Sequence, residues 1–492
     1  MGDSCLNDHS CCKVLTLKTI NPNVLRLEYA VRGPIVQRAN LLERELKDNS
    51  SAPFSQIIKC NIGDCHATGQ RPITFYRQVM AILCCPSLLE DSNFPPDAKE
   101  RAKRILSSCS GKSVGSYSDS LGLRVIREDV ATFIEQRDGI PSNVDDIFLS
   151  CGASEAIKYV LHLLSTGLDG DRRAGVMVPV PQYPLYSATT AEFNLFQISY
   201  YLDEARNWAL NLEELTRALT EAQGKCIPRA IVVINPGNPT GQVLSREGME
   251  QVIRFAVQNR LVLLADEVYQ FNIHYPERYP WTSFKRVLHE MGAGFSDRLE
   301  LASFMSCSKG FMGECGFRGG YCELTNFDPD VRAQLYKALS ARLCSPVLGQ
   351  AMVGCFVNPP KKHEPSYAQY NAERDAILED LRHKAEMVKA SFDAMPGVSC
   401  NIVQGAMYAF PRISLPAKAI EAAEKCGQKP DFFYCIRLLE EKGVCIVPGS
   451  GFGQTHGTYH FRTTILPSVE QMKVVLSSLV DFHTKFLAKY AD

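Results

Sequence analysis

The chain has 492 residues, enough for two or three domains and a large core, and its 45% apolar and 22% charged content is that of a soluble globular protein. A net charge of −1, with Lys and Arg scattered along the chain, points to neither nucleic acid nor an anionic membrane surface as a partner. The 19 cysteines form no CxxC pair, no HExxH occurs, and the adjacent pairs Cys11-Cys12 and Cys84-Cys85 suit no ligand geometry, so the expectation is no metal site and free thiols in a reducing compartment.

Residues 1–13 carry Asp3 and Asp8 but no arginine and no apolar core, which predicts neither a signal peptide nor a transit peptide; Leu6 breaks the myristoylation pattern. No apolar run is long enough for a membrane span, and the final residues are not a peroxisomal tripeptide, so the expected location is cytoplasmic. Asn21-Pro22-Asn23 predicts a turn, 34–48 an amphipathic helix, 57–69 a short strand and loop, and 74–83 a helix. Pro86 and Pro95-Pro96 then mark a boundary. Helical spacing follows at Leu123, Ile126, Val130, Phe133 and Ile134. Beyond it, strands are predicted at 147–150, 175–180, 198–202, 230–234, 261–265, 301–305 and 320–324, with helices after Gly152 and near 249–258.

Such short runs, apolar throughout, are strands covered on both faces, so the expected fold class is α/β with a mainly parallel central sheet. From about Asn358 the character changes. A long helix after Pro365-Ser366 puts Ile377, Leu381, Ala385, Val388 and Phe392 on one face and stops at Pro396-Gly397. Strands at 407–412, 444–447 and 459–465 follow, with helices near 431–441 and 469–486. The expected organisation is an N-terminal arm contributing to a small domain (1–85), a large α/β domain (86–357) and a smaller α+β domain (358–492).

In open parallel sheets ligands bind at the carboxyl ends of the strands, and the polar clusters fall there. After the strand at 301–305 comes Ser306-Cys307-Ser308-Lys309-Gly310, with Arg318 nine positions beyond the lysine. A buried lysine tends to lose its charge, and a neutral amine attacks carbonyls. Hydroxyls and an arginine suit a phosphate. An aldehyde and a phosphate on one small molecule describe pyridoxal 5′-phosphate (PLP); taken alone, the same stretch equally describes a surface lysine in a turn. Asp266 ends the strand at 261–265, where it could cap a helix or pair with a protonated pyridine nitrogen. Tyr269 lies three residues on, within reach of the ring's phenolic oxygen. Asn235-Pro236-Gly237-Asn238-Pro239-Thr240-Gly241 is a rigid turn able to aim Asn238 at that same oxygen. Gly152-Ala153-Ser154 opens a helix whose N-terminus favours a phosphate, or is an ordinary cap at Ser154. Tyr183, in Pro181-Gln182-Tyr183-Pro184, could stack on an aromatic ring or pack in the core. Arg462, in an alternating strand, could hold a carboxylate or face solvent. Pro448-Gly449-Ser450-Gly451-Phe452-Gly453 lacks the third glycine of a dinucleotide loop and predicts a tight turn.

Taken in order, Tyr117, Gly152-Ala153-Ser154, Tyr183, 235–241, Asp266-Glu267-Val268-Tyr269, 306–309, Arg318 and Arg462 resemble the fold-type I, class I/II aminotransferases over nearly the whole chain. Longer strings, including Ser308-Lys309-Gly310-Phe311-Met312-Gly313-Glu314-Cys315-Gly316 and Gly457-Thr458-Tyr459-His460-Phe461-Arg462, are similar to the alanine-using branch of that family. The resemblance implies the PLP-dependent transferase fold. It also implies transfer of an amino group from L-alanine to 2-oxoglutarate, giving pyruvate and L-glutamate, in a homodimer. Lys309 would hold PLP covalently and act as general base, and Asp266 would keep the ring nitrogen protonated. Asn238 and Tyr269 would bind the phenolic oxygen, and Tyr183 would stack on the ring. Ala153, Ser154, Ser306, Ser308 and Arg318 would hold the phosphate, joined by Tyr117 acting on the neighbouring subunit's cofactor. Arg462 would bind the substrate α-carboxylate, beside Asn238. The same cofactor residues would also serve a glutamate–glyoxylate aminotransferase or a β-lyase.

Overall fold

The computed structural model describes residues 13–29, 33–48 and 53–491. The Cys11-Cys12 pair lies outside them. At the N-terminal side, Pro34–Lys47 forms the expected amphipathic helix, burying Ile35, Ala39 and Leu42. Asn21 caps a single helical turn, Pro22–Leu25, where the sequence predicted a turn. A two-residue strand, β1 (Ile58–Lys59), follows.

Seven strands build the central sheet: β2 (Ile147–Cys151), β3 (Ala174–Val180), β4 (Phe196–Tyr201), β5 (Ile227–Ile234), β6 (Val262–Asp266), β7 (Leu301–Ser306) and β8 (Gly319–Thr325). Their order is β2-β8-β7-β6-β5-β3-β4. The ladders from β7 through β6, β5 and β3 to β4 are parallel, and β8 runs antiparallel to both of its neighbours. A parallel return needs a crossover, usually a helix. The segment between β7 and β8 contains only a short 3₁₀ turn, Cys315–Phe317, so the chain doubles back and leaves its polar loop at the carboxyl end of β7.

Both faces of the sheet are buried, as the apolar runs required. Along β3, Val176 and Val178 enter a core shared with Ile157 and Val160 of the helix Ala153–Leu164. The intervening Met177 enters another, with Met249 and Ile253 of the helix Arg246–Gln258. The helix Thr74–Cys84 packs into a third core with Ile126, Val130 and Met352. The helix Val347–Val357 has no polar face, because all but its Leu348 are buried; without an amphipathic period it left no signal in the sequence.

In the C-terminal region the helix Tyr367–Asp393 buries Leu381, Ala385, Val388 and Phe392. The expected strand at 407–412 is two: Pro411 has no N–H to give a ladder, and it separates β10 (Tyr408–Ala409) from β11 (Arg412–Ile413), which pairs with β9 (Val398–Ser399). The expected strand at 444–447 also divides. β12 (Val444–Cys445) pairs in parallel with β1, bringing residues 58–59 to the C-terminal region. β13 (Val447–Pro448) joins β14 (Phe461–Thr464), which pairs on its other side with β10.

Candidate active site

The carboxyl ends of β2, β3, β5, β6 and β7 open into one cavity of about 500 Å³. Ala153, Ser154, Tyr183, Asn238, Asp266, Tyr269, Ser306, Ser308, Lys309, Arg318 and Arg462 all line it. Tyr117 does not; it is 74% exposed.

Asp266, the last residue of β6, is buried on all sides. Its Oδ2 accepts a hydrogen bond from the Tyr186 hydroxyl at 2.9 Å, while its Oδ1 is buried without a partner. Burial pushes this carboxyl up to about 6, opposed by the Tyr186 hydroxyl. A lone acceptor oxygen at that depth costs free energy unless a donor or cation meets it.

Lys309 follows β7 in the loop that the antiparallel return leaves at the carboxyl end of that strand. Its ammonium donates to the Gly63 carbonyl at 3.1 Å and lies 5.9 Å from the centre of the Tyr269 ring. Burial alone would neutralise the amine, as the sequence suggested. Tyr408, Cys315 and Cys65 act against burial, and the balance for Lys309 lies above the ordinary lysine value.

Three groups converge beside the lysine loop. Arg318 sits in the left-handed region at φ +57° and donates to the Ser308 hydroxyl at 3.2 Å and to the Cys151 carbonyl at 3.3 Å. The Ser308 amide donates to Ser306 Oγ at 3.1 Å. Gly152, at φ +74°, precedes the helix Ala153–Leu164; a Cβ there would lie 2.4 Å from Arg318 Nη2. The helix is therefore capped by Gly152, and Ser154 falls in its first turn instead of at the cap. Hydroxyls, a guanidinium and a helix N-terminus make this corner an anion cradle.

Across the cavity, Arg462 is 1% exposed. Its guanidinium lies 4.3 Å from the Tyr408 ring centre and 4.7 Å from that of Phe452. The glycine-rich string forms the expected turn, Gly449–Gly451, and delivers Phe452 to this stack. Arg462 Nη1 donates to Asn238 Oδ1 at 3.2 Å and Nη2 to the Asn61 carbonyl. Asn238 Nδ2 in turn donates to the Tyr269 hydroxyl at 3.2 Å. Tyr183 bonds the Tyr29 hydroxyl at 2.9 Å, and burial raises its phenol well above the ordinary range, so it stays protonated.

Sequence reasoning missed Tyr29, Gly63, Tyr186 and Tyr408. Tyr186 carried a faint signal, one helical turn beyond Tyr183. Gly63 carried none, since nothing local says that its carbonyl meets a lysine 246 residues away.

A lysine, a buried carboxylate with a free oxygen, an anion cradle and a second buried arginine make a site for a small molecule bearing separate anionic groups. The family model of class I and II aminotransferases matches residues 85–479, and this chain belongs to that family. It is 57% identical over 480 residues to alanine aminotransferase 1 of Homo sapiens, spanning 97% of this chain and 96% of that one. Alanine aminotransferase 2, mitochondrial, of Arabidopsis thaliana is 47% identical over 484 residues, spanning 97% and 88%. Among solved structures, the fold matches an alanine aminotransferase from Pyrococcus furiosus with a TM-score of 0.74 at 21% identity, covering 94% of this chain and 99% of that one. An aminotransferase from Escherichia coli matches with a TM-score of 0.73 at 23% identity, covering 95% and 98%.

Proposed function

We propose that this chain is an alanine aminotransferase that uses PLP to move the amino group of L-alanine reversibly to 2-oxoglutarate, giving pyruvate and L-glutamate. The observation that carries the reading is Asp266: a buried carboxylate with one oxygen free, in the same cavity as Lys309. A protonated ring nitrogen answers that free oxygen, the anion cradle answers a phosphate, and Lys309 answers an aldehyde. The residues present thus fit PLP. Alanine as the amino donor is supported by the relatives' names and the near-complete length over which they match, and 2-oxoglutarate as the acceptor by the resemblance of the site strings.

Bound there, PLP supplies a carbonyl for the amino group and a ring that accepts an electron pair from the substrate Cα. Ser306, Ser308, Arg318 and the first turn of the helix Ala153–Leu164 hold its phosphate, while Tyr183 stacks on the ring. Asp266 keeps the ring nitrogen protonated. Asn238 and Tyr269 donate toward the phenolic oxygen. Arg462 holds the α-carboxylate of either substrate by its fork, and Asn238 keeps that fork oriented. Lys309 takes the Cα proton as general base. It must first shed its own proton, and the neighbouring charge of Arg462 works in that direction.

The working unit in this reading is a homodimer, with Tyr117 reaching the neighbouring subunit's phosphate cradle. What supports this is Tyr117 itself, exposed and absent from the cavity of its own chain. The arm, large domain and small domain divide at residues 85 and 357. A cytoplasmic location is supported by the cysteines, every one of which is free among the described residues. No helix among those residues is long and apolar enough to cross a membrane.

Purified protein with PLP should show a visible absorbance band that L-alanine bleaches and 2-oxoglutarate restores, with pyruvate formed in step. Protein that gains no band with PLP defeats the cofactor assignment. Pyruvate formed continuously without 2-oxoglutarate points to a lyase, and preference for glyoxylate points to the glyoxylate-using transaminase.

A further inference from the structure

Tyr408 sits where three functional groups meet, and the roles above leave it unused. It pairs with Thr464 across the ladder of β10 and β14, which sets it diagonally beside Arg462. Its ring carries the Arg462 guanidinium at 4.3 Å. Its hydroxyl accepts from the Tyr269 hydroxyl at 3.3 Å. The circuit then closes on itself. Tyr269 accepts from Asn238 at 3.2 Å, and Asn238 accepts from Arg462 at 3.2 Å. The same hydroxyl borders the lysine: a Cβ on Gly63 would lie 2.2 Å from Tyr408 Oη and 3.1 Å from Lys309 Nζ. Tyr408 is 2% exposed, so each contact is sheltered from water.

We propose that Tyr408 is a positioning residue with two separable parts: its ring is the platform that fixes Arg462 for the substrate carboxylate, and its hydroxyl holds the proton of Tyr269. The proposal deepens the aminotransferase reading and rests on it. The physical reason for the split is directional. A guanidinium over a ring face is held by the ring quadrupole, which needs no hydroxyl. A hydroxyl proton points at one acceptor at a time, so Tyr408 Oη competes for the proton that Tyr269 would offer to the cofactor's phenolic oxygen. Removing the Tyr408 hydroxyl frees that proton for the cofactor. The anionic form of the phenolic oxygen is then better stabilised, and its titration moves to lower pH.

The test uses PLP-loaded protein with the variants Tyr408→Phe and Tyr408→Leu. Two quantities are read: the pH midpoint of the visible absorbance band, and the Kd of glutarate, an unreactive dicarboxylate, by calorimetry. Tyr408→Phe should lower the midpoint by about half a pH unit or more while leaving the glutarate Kd within about threefold of wild type. Tyr408→Leu should raise that Kd about tenfold, the loss of one sheltered cation–π contact. A midpoint that stays put or rises in Tyr408→Phe overturns the hydroxyl's role. A Kd raised about tenfold in Tyr408→Phe overturns the division between ring and hydroxyl. The Phe variant keeps the ring's volume, so it decides both points even if Tyr408→Leu does not fold. Wild-type protein that shows no band with PLP defeats the underlying reading; a normal wild type with an unmoved Phe variant defeats only this inference.

Discussion

The cavity has two walls of different origin. One is built from the ends of the parallel strands: Asn238 after β5, Asp266 at the end of β6, and Ser306, Ser308 and Lys309 at and after β7. The other is assembled from distant pieces: Tyr29 and Gly63 from the N-terminal side, Tyr408 and Arg462 from the C-terminal ladder. The strand-end wall holds the groups suited to the cofactor, and the assembled wall holds the arginine suited to the substrate. The sheet places its strand ends through its own hydrogen-bond register, independently of what closes over them. The second wall exists only when the N-terminal segment and the C-terminal ladder have both docked. In the proposed reading, the chemistry lies on the sheet and the recognition of the exchanging substrate on the part assembled around it.

Substitutions on each wall sharpen this contrast. On the strand-end wall, Lys309→Ala should lower turnover of L-alanine by at least about a thousandfold, because no other amine lines the cavity to move the Cα proton. Steady-state assays with alanine and 2-oxoglutarate read this directly; near-normal turnover would remove the lysine from the centre of the site.

Asp266→Asn is the next largest, about a hundredfold in kcat, because an amide does not hold the ring nitrogen protonated. It also has a signature in PLP-free protein. Asp266 is pushed up to about 6 from an ordinary 3.8, so between those values the folded state keeps a proton that the unfolded state has released. Stability from this group is therefore present below about pH 4 and lost as pH rises toward 6. Urea melts of the PLP-free protein at pH 4 to 7 should show Asp266→Asn flattening the slope by about 2–3 kcal/mol across that window. A slope that is unchanged would mean the buried carboxyl is not what titrates.

On the assembled wall, Gly63→Ala should lower kcat about tenfold with the sheet intact, since the added methyl must displace Tyr408 or the Lys309 ammonium. Gly63 is not among the glycines with positive φ, so the effect comes from contact and not from the backbone. Far-ultraviolet circular dichroism alongside the kinetics separates the two. A silent Gly63→Ala would mean that the assembled wall gives way easily, and that the two walls differ less than their contacts indicate.

The strand-end wall was legible in the sequence because each of its residues follows an apolar run, and such runs in an α/β chain end at the ligand side. Asp266 and Lys309 were open to a bland reading one at a time, and it was the ordered set of strand-end residues that singled them out. Their supports could not be singled out in that way. Tyr186 meets Asp266 across 80 residues of sequence, and Tyr408 meets Tyr269 across 139. For Lys309 the sequence suggested only the effect of burial; Tyr408, Cys315 and Cys65, which no local pattern places beside it, act against that effect.

The sequence by itself determined the alternation of strands and helices, the mainly parallel sheet, and the residue types at its carboxyl edge. These follow from local periodicity and from the burial of both sheet faces. Only the tertiary structure decided which oxygen of Asp266 is held by Tyr186 and which is free, that Arg462 lies between two aromatic rings, and that Gly63 brings its carbonyl to the lysine. The reason is physical: a side chain's charge, orientation and hydrogen-bond partner are set by what surrounds it in space, and in this cavity those surroundings are drawn from both ends of the chain.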